Sequence, residues 1–184
     1  MKQSSPRWVI RLVCWSVVLS VLFTFASTAV LEGAGYGLSF IVLFLFILLG
    51  ILFDMVAVAA TSADEKPFHS MAAHRAYGSK EALRLVRNAD RVATFCADVV
   101  GDITGIISGS TITAITLGLV LRFSAEALLI QVVISALVVG LTIGGKAVGK
   151  RFAMQNNTKI ILFVARLICR KDWFLDKLHL RRRK

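Results

Sequence analysis

Polar surface is what this chain lacks. Of its 184 residues, 57% are hydrophobic and only 18% are charged, and it holds two prolines. A soluble domain of this length needs a polar exterior that such a composition does not supply. Cysteine is sparse too. Cys14, Cys96 and Cys169 are scattered, no pair has metal-site spacing, and no disulfide framework follows. All three read as small buried hydrophobes, the first two within apolar stretches. His69 and His74 have no further His or Cys near them, so they read as interface histidines rather than metal ligands. No GxSxG, Walker loop or HExxH motif occurs, and no enzyme is expected.

What is present is a set of long apolar runs at 12–31, 38–60, 92–121 and 127–145. About 20 such residues cross a hydrocarbon core roughly 30 Å thick. The expected fold is therefore all-α: a polytopic transmembrane helix bundle of four spans with cytoplasmic juxtamembrane helices. The first run has a basic start, and Ser27-Thr-Ala29 resembles a cleavage site, so cleavage of a signal peptide would leave three spans. That run is longer than the usual signal core, which favours an uncleaved helix. Three segments follow: 1–37, a basic start with an additional span; 38–156, the main transmembrane domain; and 157–184, a basic tail.

The net charge is +11. Lys and Arg cluster at the N-terminus, within 64–91 and after Lys146, beside apolar runs, which is the positive-inside pattern. The expected partner is a bilayer with anionic headgroups, not nucleic acid. Both termini and the 64–91 segment are expected in the cytoplasm, with the turns at 32–37 and 122–126 outside. A bacterial plasma membrane is the expected location. Segment 64–91 reads as one or two short helices, with Ser79 as an N-cap. Ala82, Leu83 and Val86 fall on one face and Lys80, Arg84 and Arg87 on another, with Leu85 interrupting. The tail stretch 160–169, followed by Trp173 and Phe174, reads as a helix in the inner interface.

Three aspartates lie inside the expected spans: Asp54, Asp98 and Asp102. Each costs about 2.5–3.5 kcal/mol at a span's centre on the translocon scale, so such residues face a cavity or a partner. Asp98 and Asp102, four apart, share a helix face. At 1.5 Å per residue all three fall at similar depth, roughly 10–16 Å from the cytoplasmic boundary. With no basic partner expected in the spans, the carboxylates would hold a cation, handle protons or hydrogen-bond between helices; all three readings stand at this point. Gly101, Gly105 and Gly109, and Gly140, Gly144, Gly145 and Gly149, have the small-residue spacing of close helix packing or dimerisation.

From Gly50 to Arg166 the chain resembles the transmembrane domain of the CNNM/CorC family of magnesium transporters. Phe53-Asp-Met-Val-Ala-Val-Ala-Ala-Thr-Ser62 stands where the family has a serine/glutamate segment. Ala82-Leu-Arg-Leu-Val-Arg-Asn-Ala-Asp-Arg91 resembles its A-L-x-L-x-x-N-P-D-R/K. Val100-Gly-Asp102 and Gly145-Lys-Ala-Val-Gly-Lys150 resemble its I-G-N and G-E-I-x-P-K motifs. In that register the family glutamate falls on Ala57, and its serine positions fall on Asp54 and Val56. Its first asparagine falls on Asp102 after two extra residues are allowed in the preceding stretch. No CBS domain is read in these 184 residues. The resemblance implies Mg²⁺ as the bound or transported ion and a homodimer. It implies Asp54, Asp102 and the Gly101 backbone oxygen as ligands, with Asp98 a carboxylate peculiar to this chain.

Overall fold

In a computed structural model, every regular element among the described residues (6–31, 36–123 and 127–181) is helical. The turns expected at 32–37 and 122–126, and the first basic residue, Lys2, lie wholly or partly outside them. The helices are α1 (Pro6–Leu31), α2 (Tyr36–Ser62), α3 (Glu65–Ala73), α4 (Ser79–Arg87) and α5 (Ala89–Ala93). A π-helical stretch (Thr94–Val100), α6 (Gly101–Phe123), α7 (Ala127–Gln155) and α8 (Asn157–Arg181) complete the chain. Four segments are long and apolar enough to cross a membrane: Trp8–Thr28, Gly37–Ser62, Ala89–Thr116 and Gln131–Gln155. The expected four-span, all-α architecture is what the structure shows. One boundary differs. The fourth helix does not stop at Gly145; it runs to Gln155 and carries Lys146, Lys150 and Arg151. Lys and Arg are good helix formers, and their long stems let a charged head reach the interface from within a span.

The chain divides into two compact units. The first takes in residues Met1–Phe53 and Ala97–Ala147. Val99, Ile103 and Ile107 of α6 form one cluster with Leu12, Leu19 and Phe23 of α1 and Phe46 of α2. Phe23 and Phe46 meet edge to face at 6.0 Å, the geometry that the ring quadrupoles favour. A second cluster joins Leu43 and Ile47 of α2 to Ile112 and Ile115 of α6 and Ile134 and Val138 of α7. Along α6, Thr104, Ser108, Thr111 and Thr116 are buried, and each hydroxyl donates to a carbonyl three or four residues earlier. That back-bonding satisfies the donor inside an apolar setting. Gly50 lets α2 approach α6, since a Cβ there would stand 2.8 Å from Thr104 Oγ1.

The second unit comprises Asp54–Cys96 and Val148–Lys184. Glu65 opens α3, where a carboxylate complements the helix dipole, and Pro67 sits in its first turn, where no amide donor is needed. Phe68 is fully buried in a core with Ala59, Ala60, Ala82, Val86, Ala153, Ile161 and Ala165. Ala82 and Val86 are thus the buried face of α4, as their spacing predicts, and Leu85, off that pattern, still packs at the rim. Three readings change. Segment 64–91 holds two short helices and the start of a third. Ser79 is not the N-cap of α4: that position is Gly78 at φ 84°, and the Ser79 hydroxyl donates to Ala76 O at 2.7 Å. Cys14 is exposed, against the expected burial, while Cys96 is buried and Cys169 is half-buried.

Candidate functional site

Asp98 and Asp102, both exposed, line one open cavity of about 450 Å³ in the first unit. Its other wall is α1, which contributes Ser16, Val17, Ser20 and Val21; Val99, Ile103 and Ile106 complete the α6 side. The two serines are four residues apart and therefore share a helix face, as the two aspartates do. The cavity flanks the seam where Leu12 and Leu19 pack on Val99 and Ile103. Ser16 Oγ donates to Val13 O at 2.9 Å, which commits its proton and leaves its lone pairs as acceptors. Carboxylate and hydroxyl oxygens are the ligands that hard cations take.

The backbone here is irregular in a particular way. Asp98 lies within the π-helical stretch Thr94–Val100, and α-helical hydrogen bonding resumes at Gly101. A π-helix replaces the i→i+4 ladder with i→i+5 bonds, and such turns inside α-helices are frequent at functional sites. Gly101 is buried, and its carbonyl accepts the Thr104 hydroxyl at 2.9 Å. It lines a different cleft of the first unit, of about 170 Å³, with Thr104, Ser108, Thr142 and Lys146. The neighbouring residues Gly101 and Asp102 thus serve two separate cavities.

Asp54 belongs to the second unit and is 7% exposed. Its Oδ2 is buried without a hydrogen bond, and Lys150 Nζ stands 3.6 Å away. This corrects the expectation that no basic group in the spans pairs with an aspartate: Lys150 comes from the length of α7 beyond the apolar run that ends at Gly145. In the polar segment, Glu65 accepts a hydrogen bond from Arg87 at 3.1 Å and lies 3.2 Å from His69. The Arg87 bond, then that of His69, holds the Glu65 carboxyl below its usual range. Among the described residues, no three His, Cys, Asp or Glu side chains form a metal-binding group.

No family model, no curated protein and no solved structure matches this chain. Ser16 and Ser20 were missed in the sequence, although two hydroxyls four apart, continued by Thr24, were there to be read.

Proposed function

We propose that this membrane protein binds a divalent cation, with Mg²⁺ the expected ion, in the cavity between α1 and α6 and passes it across the bilayer. The observation that carries the reading is that two carboxylates and two serine hydroxyls line one cavity inside apolar spans. Carboxylates at such depth are costly unless a cation or partner compensates them. Mg²⁺ uses one or two carboxylates and keeps several waters, so two aspartates and two hydroxyls around a roomy cavity suit a partly hydrated ion. The resemblance to the CNNM/CorC transmembrane domain points to the same ion. The basic clusters support cytoplasmic termini, and a bacterial plasma membrane is the proposed location. The open glycine faces at Gly105, Gly109, Gly140 and Gly144 support a homodimer.

The Asp54–Lys150 pair favours a second reading. An aspartate already matched by an internal cation is a structural element, as in a CNNM/CorC-derived module that scaffolds or regulates a partner without transport.

The test is thermal unfolding of the detergent-purified protein titrated with Mg²⁺. It compares the unmodified chain, Asp98→Asn/Asp102→Asn and Asp54→Asn. A ligand that binds only the folded state stabilises it by about 2.7 kcal/mol at 100 times its Kd. The expected result is a saturable Mg²⁺ shift, lost in the double variant and kept in Asp54→Asn, followed by Mg²⁺ flux in proteoliposomes. A shift that persists in the double variant refutes the site, and a shift without flux leaves the module reading ahead.

A further inference from the structure

The tail helix α8 has two faces, and packing accounts for only one. Ile161 and Ala165 are fully buried in the core that holds Phe68 and Ala82. At 3.6 residues per turn, Lys159, Phe163, Arg166, Leu167 and Arg170 fall within an arc of about 100° opposite Ile161. All five are exposed; Phe163 is 63% and Leu167 51% exposed, and the Arg166 stem, at the edge of the arc, also passes the Gly78 turn. Among the described residues, no hydrophobic cluster takes in Phe163 or Leu167.

The depth of this face is set by a hydrogen bond. Asn157, the first residue of α8, donates from Nδ2 to Ser62 O at 2.8 Å. Ser62 ends one candidate span and Gln155, two residues before Asn157, ends another. The helix therefore starts at the level where two spans leave the hydrocarbon. Between Asn157 and Arg170 there are no acidic residues. Within the arc the basic residues lie to one side and Phe163 and Leu167 to the other. An interfacial helix uses this division, with its apolar side at the acyl boundary and its cations among the phosphates.

We propose that Lys159, Phe163, Arg166, Leu167 and Arg170 form a docking surface for anionic lipid headgroups, so that α8 is clamped between the α4 core and the membrane surface. The sequence suggests an interfacial helix; the structure divides it into a protein face and a lipid face and names the residues of each. The inference requires only the membrane-spanning architecture and stands apart from the cation site.

The test uses the full chain in lipid nanodiscs of phosphatidylcholine, with or without phosphatidylglycerol. A single fluorophore is placed by Phe163→Cys in a background where Cys14, Cys96 and Cys169 are replaced by serine. Lipids brominated near the carbonyl end of the acyl chain should quench it, and aqueous iodide should not. The second measurement is mass spectrometry of lipid retained by the otherwise unmodified chain and by Lys159→Gln/Arg166→Gln/Arg170→Gln. With about 1 kcal/mol per basic group near an anionic surface, phosphatidylglycerol should be enriched on the order of tenfold or more, and the triple variant should lose most of that. Quenching by iodide alone overturns the docking surface and points to a soluble acidic partner. Equal retention of both lipids overturns the anionic preference, and this measurement stands even if the cysteine-free chain does not fold.

Discussion

Gly50→Ala tests how closely the helices of the first unit approach. Its new Cβ would stand 2.8 Å from Thr104 Oγ1, and 3.6 Å from Thr104 Cβ. Thr104 is 3% exposed, and its hydroxyl is held at 2.9 Å by Gly101 O, so it cannot turn aside without losing that bond. Overpacking of this kind costs about 1–3 kcal/mol, and the better helix propensity of alanine returns about 1 kcal/mol. The net expectation is destabilisation of about 1 kcal/mol. Gly105→Ala meets nothing within 4 Å and should stabilise by up to about 1 kcal/mol. Gly145→Ala meets the tip of Ile51, Cδ1 at 2.6 Å, which a rotamer change relieves, so it should be close to neutral. Reversible unfolding in mixed dodecyl sulfate micelles, followed by circular dichroism, ranks the three. Adding Thr104→Ala to Gly50→Ala removes the obstructing hydroxyl and should recover stability. If Gly50→Ala proves as stable as Gly105→Ala, or if Thr104→Ala brings no recovery, α2 and α6 do not approach as argued.

Four other outcomes are expected. Phe68→Ala should cost about 3–5 kcal/mol in the same assay, because the ring is fully buried and its loss leaves a cavity. Gly78→Ala should cost about 1–3 kcal/mol, since φ is 84° and the new Cβ would press on the Arg166 backbone nitrogen at 3.3 Å. Lys150→Met should destabilise by about 1–3 kcal/mol, less than a fully buried pair because the lysine is 50% exposed; Asp54→Asn/Lys150→Met should be the more stable of the two variants, as no charge is left unpaired. The pKa of Glu65 is lowered from its ordinary 4.5, so its contribution is full at neutral pH and fades as pH falls through the lowered value; Glu65→Gln should flatten the acid limb of the unfolding profile.

The spans were legible because a bilayer demands long apolar runs, and length alone identifies them. The buried face of α4 was legible for a similar reason: Ala82 and Val86 are one helical turn apart and nothing polar intervenes on that face. What escaped were features set by neighbours distant in sequence. Lys150 lies beyond the apolar run that ends at Gly145, and only the continuation of α7 to Gln155 brings its ammonium to Asp54. Ser16 and Ser20 gain meaning only because α1 packs on α6 and turns them toward Asp98 and Asp102. The π-helical stretch has no compositional signature, since Thr94–Val100 reads like any apolar helix. The glycine repeats were informative about spacing but only partly about contact: Gly105, Gly109, Gly140 and Gly144 face open space, while Gly145 meets Ile51 and Gly50, outside both repeats, meets Thr104.

The polar content of α6 does not by itself argue for ion passage. Thr104, Ser108, Thr111 and Thr116 are buried, and every one of their hydroxyl protons is taken by a carbonyl of the same helix. Those residues are satisfied without any solute, so they would look the same in a scaffold and in a transporter. The groups that separate the two readings are carboxylates, which have no proton to donate when ionised and must find compensation outside their own helix. Asp54 finds it in Lys150. Asp98 and Asp102 face a cavity whose other polar wall is hydroxyl, and Ser16 offers lone pairs there because its proton is already spent. Hydroxyls can at most donate a hydrogen bond and do not neutralise two carboxylate charges; a cation or bound protons would. Neutralising Asp98 and Asp102 with asparagine therefore tests the carboxylates that, among the described residues, separate the two readings. Retained Mg²⁺ stabilisation after that change would place the ion elsewhere.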